Sequence, residues 1–526
     1  MQNLLVNGQW LAAKKPEDSF HARNPSDRST LSEREFPVSS WQDIEAMIGH
    51  ASEAARVLAK TPTEAIASFL DEYARLIETR TEELAKTAHL ETGLPVRPRL
   101  AEVEIPRTVN QLRQAAAAAR AGDWARPTID TTANIRSVHG PLGGPVVVFG
   151  PNNFPFAYNG IAGGDFAAAI AAGNPVIAKS HPAHPHTTEL LAQLANQAVK
   201  TAGLPQATVQ LFYHVAPENG KRLVSHPDVA AAAFTGSRTG GLALKEAADK
   251  AGTPIYLEMS SVNPVFVLPG SLQERGSEIA DELHGSCNLG AGQFCTKPGL
   301  VILPSGAKTD EFIQQLKNKF QQTAPGVLLT EGGEKTVAET VGKLVDSGAE
   351  ILAGGEPASQ THFGYRSTLL RVSGSQFLKN PEQLQSEAFG AVCLLVAAES
   401  LKQMQAIVTV LEGNLTGCIY SSKSSTDDEA YQAIASELRF KVGRLLNDKV
   451  PTGVAVSPAM NHGGPYPSTG HPGFTAVGFP ATVIRFSALH SYDNVRHERL
   501  PLALQDKNPT GKLLRYIDGA WSTKDL

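Results

Sequence analysis

Cysteine is scarce in this chain, with 4 in 526 residues. No Cys-x-x-Cys pair and no His-Glu-x-x-His occurs, which argues against a zinc-bound fold and a zinc protease. Four thiols without a framework spacing exclude a cysteine-stapled secreted scaffold and suit a reducing, cytoplasmic setting. No apolar run is long enough to cross a bilayer, and the start lacks a basic region followed by an apolar stretch, so neither membrane insertion nor secretion is expected. No basic block stands out, and the net charge is -5. Nucleic acid and anionic membranes are therefore not expected partners. The Gly-x-Gly-x-x-Gly fingerprint of dinucleotide sheets is also missing, and no fixed-period repeat appears.

What is present reads as an ordinary folded chain, 42% hydrophobic and 19% charged, long enough for about three domains. Leu4 to Trp10 reads as a strand entering a tight turn at Asn7-Gly8. Apolar residues at three- and four-residue intervals predict helix from Trp41 to about Thr92 and again from Ala101 to Ala121. From Pro145 onward, short apolar strands alternate with helices. Strands are expected at 145–151, 174–179, 209–212 and 230–234, with helices at 165–172, 187–202 and 219–224. This alternation predicts a parallel α/β sheet. A second alternating region runs from about Ser261 to Phe486, and Ala481–Phe486 reads as a strand.

Chemistry-bearing residues fall at strand ends and in loops, where such sheets bind ligands. Cys295 lies in Gly290-Ala291-Gly292-Gln293-Phe294-Cys295-Thr296. Glycines permit close backbone approach there, and the thiol is a candidate nucleophile. A free cysteine is also often a small buried hydrophobe. Glu258 ends the apolar run Ile255-Tyr256-Leu257. It is either a general base or an exposed strand-end carboxylate. Asn153, in Gly150-Pro151-Asn152-Asn153-Phe154-Pro155, is either an oxyanion donor or a turn asparagine. Lys179 closes a strand and reads equally as a cofactor contact or a solvated lysine. Phe234-Thr235-Gly236-Ser237 offers free N–H groups to a phosphate, or simply an N-cap by Ser237.

Taken together, these residues resemble the aldehyde dehydrogenase superfamily over nearly the whole chain. Gly-Gln-Phe-Cys295 matches its nucleophile loop. Glu258 matches its base, although Met259-Ser260-Ser261 replaces the usual Leu-Gly-Gly. Asn153 matches the oxyanion asparagine. Phe234-Thr235-Gly236-Ser237 matches the cofactor turn, and Glu387-Ala388-Phe389-Gly390 matches the Glu-x-Phe-Gly motif. Three stretches resemble the 2,5-dioxopentanoate (α-ketoglutarate semialdehyde) dehydrogenase branch: Phe149 to Pro155, Gly292 to Gly299, and His462-Gly463-Gly464-Pro465-Tyr466-Pro467. That branch is close to an NADP-preferring fatty aldehyde dehydrogenase.

The resemblance implies a Rossmann-type cofactor domain at 1–127 and 145–260, an α/β catalytic domain at 261–474, and a small β oligomerisation arm at 128–144 and 475–526. It implies Cys295, Glu258 and Asn153 as catalytic residues. Lys179, Ser180, Pro182, Gly236, Ser237, Glu387 and Phe389 are the implied NAD or NADP contacts. Many NAD-using members carry a glutamate where this chain has Pro182, so no carboxylate would repel a 2′-phosphate and NADP is expected to be accepted. Asn110, Arg113 and Phe156 are the expected substrate contacts, with Arg113 taking a distal carboxylate. No metal is expected, and the assembly is expected to be a homodimer or homotetramer. A cofactor-free thiol hydrolase, a silent nucleotide-binding scaffold and a CoA-acylating enzyme are the competing readings. The first two have no use for all of these residues, and the candidate base Glu258 disfavours the third.

Overall fold

The computed structural model describes residues 1–473 and 475–526. Phe474, the last residue of the expected catalytic segment, lies outside the described residues. The strands read from 145–151 onward form one sheet in the order Ile255–Glu258, Ala231–Thr235, Val146–Phe149, Val176–Lys179, Val209–Phe212, Leu4–Val6, Gln9–Leu11. The first five are parallel. The fully buried run Val146–Phe149 is apolar throughout because helices cover both faces of a parallel sheet. The N-terminal hairpin turns at Asn7 and Gly8, with φ of 46° and 74°, and adds two antiparallel strands to one edge.

In this sheet the chain runs outward in one direction through Val146–Phe149, Val176–Lys179 and Val209–Phe212. It then returns to place Ala231–Thr235 and Ile255–Glu258 on the other side of Val146–Phe149. A crevice therefore opens at the carboxyl ends of Val146–Phe149 and Ala231–Thr235, the topological switch point where such folds bind ligands.

The helical pattern expected over Trp41–Thr92 resolves into Trp41–Leu58, Thr63–Thr79 and Thr81–Thr92, with Pro62 and Arg80 at the breaks. The next helix begins with wide turns over Val96–Glu104, in which Arg97 leaves helical geometry. It continues as the regular Ile105–Ala121, which Gly122 ends at φ 71°.

The second sheet is ordered Glu350–Ala353, Thr368–Ser373, Val392–Ala398, Leu300–Pro304, Val265–Val267, Asn414–Tyr420, Val442–Asn447. All its pairings are parallel except that of Glu350–Ala353 with Thr368–Ser373. A third sheet joins Ser487–Asp493, Ile135–Pro141, Thr128–Asp130, Arg515–Ile517 and Ala520–Ser522. Among the described residues, no helix is long and apolar enough to cross a membrane.

One expectation fails. Ala481–Phe486 is a tight helical turn, and the strand begins only at Ser487. Three-residue turns place side chains at i and i+3 on one line. Val483 and Phe486 accordingly both enter the core around the first sheet. Between them, Arg485 reaches the carboxylate of Asp165 on the helix Gly164–Ala171. Both partners are largely buried. Removing one member of a buried ion pair costs far more than the pair itself contributes. Asp165→Ala is therefore expected to lower unfolding free energy by about 3 kcal/mol in urea denaturation; an unchanged midpoint would show that the pair does not hold this turn.

Candidate active site

Cys295 owes its position to a loop that is pinned from three sides. Gly290, Ala291 and Gly292 all adopt positive φ, between 56° and 74°. A Cβ on Gly292 would lie 2.2 Å from the carbonyl oxygen of Gly390, so only glycine lets this loop pack onto the Glu387–Gly390 segment. Gln293 spans the loop, bonding Gly290, Val327 and Leu329. Buried Asn263 donates from Nδ2 to the carbonyls of Cys295 and Lys297, both at 2.9 Å. The Lys297 ammonium in turn donates to the carbonyls of Ala388 (3.2 Å) and Val392 (2.6 Å).

Glu258 comes from the first sheet. Thr235 and Glu258 are neighbours in the parallel ladder, and the Gly236 N–H donates to the Glu258 carbonyl at 3.0 Å. The segment carrying His462 folds back onto this strand end, with Met259 N–H bonded to the Ser468 carbonyl at 2.8 Å. The strand Val442–Asn447 admits it because Gly443 has no side chain. A Cβ there would lie 1.7 Å from the Gly463 carbonyl oxygen.

These connections bring three reactive groups together. His462 Nε2 lies 3.3 Å from Cys295 Sγ and 3.2 Å from Glu258 Oε1. Both His462 and Glu258 are only 1% exposed. Sequence reasoning missed His462 as a site residue, although the His-Gly-Gly-Pro stretch had drawn attention. A single histidine 167 residues from the thiol carries no spacing signal. Burial pushes the Cys295 thiol well above its ordinary range, and the nearby Glu258 and Glu387 carboxylates push it the same way. The resting group is therefore a thiol, and attack requires a proton acceptor. His462 Nε2 is placed to be that acceptor, with the Glu258 carboxylate beside it to stabilise the imidazolium.

Asn153 is buried, and its amide donates to the Gln293 carbonyl at 2.9 Å, two residues before Cys295. One N–H of that amide is thus engaged with the nucleophile loop. Glu104, fully buried, accepts from Phe156 N–H (2.8 Å) and Ala157 N–H (3.0 Å) and so braces the Asn153 loop.

Cys295 and His462 line a cavity of about 380 Å³ together with Arg99, Arg107, Phe154, Tyr158 and Phe294. The expected substrate contacts need correcting. Arg113 is on the outer surface, 51% exposed and paired with Glu78 at 2.6 Å; Asn110 is exposed as well. At about 100° per residue, the six positions from Arg107 to Arg113 turn the helix by about 240° beyond a full rotation. Arg107 therefore faces the cavity while Arg113 faces away. Phe156 is fully buried beneath the loop, and its neighbours Phe154 and Tyr158 line the cavity instead.

The candidate cofactor contacts sit around the switch-point crevice. Lys179 ends its strand, and its ammonium donates to the Ser180 carbonyl at 2.8 Å. Burial lowers it to about 8. Ser180 is buried and tied to Phe212 through its N–H, and Pro182 follows half-buried. Ser237 caps the helix Arg238–Ala251 by accepting from Gly240 N–H. The N-cap reading is thus correct, and it leaves the helix N-terminus facing the crevice. The ring of Phe234 lies against Gly236, where a Cβ would meet it at 2.8 Å. Glu387 lines a small recess with Arg238, Ser260 and Gln385. Burial raises it to about 7, while Lys297 and Ser260 draw it back toward ionisation. Phe389 is half-buried in the same segment. A half-buried ammonium, a helix N-terminus and a carboxylate able to accept from hydroxyls together fit a nucleotide carrying phosphates and ribose.

Glu258 contributes to the raised Cys295 value, so replacing it should lower that value. Alkylation of the free enzyme by iodoacetamide, followed by mass spectrometry at Cys295, should be slow at neutral pH and still accelerating at pH 9. Glu258→Gln should shift the profile to lower pH. An unshifted profile would count against this electrostatic coupling.

Comparison with known proteins identifies the family and the fold. The profile described as "Aldehyde dehydrogenase family" matches residues 10–467. Alpha-ketoglutaric semialdehyde dehydrogenase 2 of Azospirillum brasilense is 38% identical over 515 residues, covering 95% of this chain and 96% of that protein. Alpha-ketoglutaric semialdehyde dehydrogenase of Acinetobacter baylyi is 35% identical over 529 residues, covering 98% and 97%. Among solved structures, the NAD+ complex of an aldehyde dehydrogenase from Bacillus cereus superposes with a TM-score of 0.80 at 20% identity, covering 93% of this chain and 96% of that one. PnpE in complex with nicotinamide adenine dinucleotide superposes at 0.79 with 21% identity, covering 94% and 99%. The chain belongs to the aldehyde dehydrogenase family.

Proposed function

We propose that this protein oxidises 2,5-dioxopentanoate to 2-oxoglutarate, with NAD or NADP as the hydride acceptor. The observation that carries the chemistry is the His462 imidazole standing within 3.3 Å of both the Cys295 thiol and the Glu258 carboxylate. The substrate rests on the names of the two relatives above, which share 38% and 35% of their residues with this chain.

In this reading His462 accepts the thiol proton, and the Cys295 sulfur adds to the aldehyde carbon. The new alkoxide lies near the Cys295 backbone N–H and the second N–H of the Asn153 amide. Each such donor contributes on the order of 3 kcal/mol to transition-state stabilisation. When bound, the nicotinamide supplies a hydride acceptor, which leaves the carbon as a thioester on Cys295. Glu258 then takes a proton from water, and hydroxide replaces the sulfur. Overall, one aldehyde, one water and one oxidised nicotinamide become one carboxylate, one reduced nicotinamide and two protons. Lys179, Ser180, Pro182, Gly236, Ser237, Glu387 and Phe389 are the proposed cofactor contacts. Pro182 leaves no carboxylate to repel a 2′-phosphate, so NADP is accepted.

The three sheets support the division into a cofactor domain, a catalytic domain and a strand arm. The arm leaves apolar side chains outward, with Leu489 61% and Trp521 55% exposed. Sheet edges of this kind pair with other strands, and a homodimer or homotetramer through this arm is the proposed assembly. The four cysteines are unpaired, in keeping with a cytoplasmic setting. A second reading, oxidation of a long apolar aldehyde, draws on the apolar cavity wall formed by Leu94, Pro95, Val103 and Leu289. A long-chain-aldehyde dehydrogenase of Acinetobacter sp is 26% identical over 442 residues.

Purified protein supplied with NAD or NADP and a panel of 2,5-dioxopentanoate, pentanal and decanal separates these readings. Reduced-cofactor absorbance should report a kcat/KM for 2,5-dioxopentanoate at least about tenfold above the neutral aldehydes, a difference of about 1.4 kcal/mol. Higher efficiency on decanal would overturn the substrate, and activity confined to NAD would overturn NADP acceptance. Cys295→Ser should abolish turnover. Glu258→Gln should give a burst of one reduced cofactor per subunit followed by a slow phase, because the thioester then lacks its base. Linear progress from the start would place Glu258 elsewhere in the cycle.

A further inference from the structure

We infer that Arg107 binds the carboxylate at the far end of the substrate from its aldehyde, and so selects short aldehyde acids over neutral aldehydes. This rests on the substrate reading above and deepens it. Two arginines line the cavity that Cys295 opens into, Arg99 and Arg107, and their surroundings differ. Arg99 is already matched. Its guanidinium pairs with the buried carboxylate of Glu104, donates to the Asn153 carbonyl at 3.1 Å, and lies over the rings of Phe154 and Phe294 at 4.5 and 5.4 Å. Its charge is spent on holding the loop that presents Asn153.

Among the described residues, Arg107 has only neutral hydrogen-bond partners. One nitrogen donates to the Val454 carbonyl, and another donates to the Tyr158 hydroxyl at 3.2 Å. Its Nε–H is buried and has no acceptor, as is also true of Arg99; what separates the two is the carboxylate, which Arg99 has in Glu104 and Arg107 lacks among the described residues. A guanidinium carries five N–H donors in a planar fork that suits a carboxylate bidentately. With two nitrogens anchored to Val454 and Tyr158, the group is oriented while donors and a full positive charge remain unmatched. Arg107 is half-buried; cations withdrawn from water are ordinarily paired, and a substrate carboxylate supplies the missing partner.

The surrounding wall sharpens the selection. Leu94, Pro98, Val103, Phe154 and Phe294 are apolar, and the one carboxylate in the lining, Glu104, is taken by Arg99, so an anion entering this space meets Arg107 as its unmatched cation. Its field also reaches Cys295, favouring negative charge on the sulfur. A short chain with an aldehyde at Cys295 and a carboxylate at Arg107 satisfies both ends of the cavity. A neutral aldehyde leaves the guanidinium as it is now.

Steady-state kinetics of Arg107→Leu and Arg107→Lys on 2,5-dioxopentanoate and pentanal, with glutarate as an unreactive competitor, test this. In the wild type, glutarate should compete with pentanal. Arg107→Leu should raise the ratio of KM for 2,5-dioxopentanoate to KM for pentanal about 100-fold, lower kcat for the two aldehydes alike through the lost field at Cys295, and abolish glutarate inhibition. Arg107→Lys should recover part of these effects, which also covers a leucine variant that fails to fold. An unchanged KM ratio, or undiminished glutarate inhibition in either variant, would overturn the inference while leaving the substrate reading intact. A wild type that does not distinguish the two aldehydes would overturn the substrate reading itself.

Discussion

Placing Glu258 where water scarcely reaches it is the constraint around which the rest of the site is arranged. A carboxylate buried at a strand end needs a partner close by, since desolvation of an ion costs several kcal/mol. His462 stands 3.2 Å away, but it arrives on a segment remote in sequence. That segment approaches only because Gly443 leaves room for the Gly463 backbone and because the Met259–Ser468 hydrogen bond fastens it to the strand. Once the imidazole is seated, the same Nε2 faces Cys295, and only after it accepts the thiol proton does the imidazolium give the Glu258 carboxylate its counter-charge.

The two parallel sheets contribute unequal parts. The first supplies Glu258, Asn153, Lys179 and the Gly236-Ser237 turn from the ends of its strands, rigid positions set by ladder hydrogen bonds. The second supplies Cys295 from a loop in unfavourable backbone geometry, with Ala291 held at φ 56°. Such conformations persist only where surrounding contacts over-determine them. Here Asn263, Gln293 and Lys297 provide those contacts. Asn263 is itself fixed by Asn414, whose side-chain oxygen accepts its N–H at 3.1 Å. Precision at the sulfur is thus inherited from buried amides several residues away.

Much of the fold was legible from local pattern. The strands ending at Phe149, Lys179, Phe212 and Thr235 read clearly because a parallel strand buried on both faces must be apolar along its length. The misreading of Ala481–Phe486 has the opposite cause. Its β-branched residues suited a strand, but the packing of Val483 and Phe486 at three-residue spacing, with Arg485 turned toward Asp165, favoured a tight helical turn. For the substrate end, the expected Arg113 faces solvent, and Arg107 of the same helix lines the cavity. Arg107 and Arg113 are equivalent in type, and only the rotation of the helix against its neighbours decides which one sees the cavity.

By itself the sequence determined the family, the alternation of strands and helices, and which thiol to propose as the nucleophile, because each is carried by residues close together in the chain and by local hydrogen-bonding rules. Tertiary structure alone decided that His462 joins Cys295 and Glu258, that Arg99 is neutralised by Glu104 while Arg107 is not, and that Arg113 faces solvent. Those outcomes depend on distances between segments separated by tens to hundreds of residues. No spacing rule encodes them, since chain connectivity constrains neighbours and packing constrains everything else.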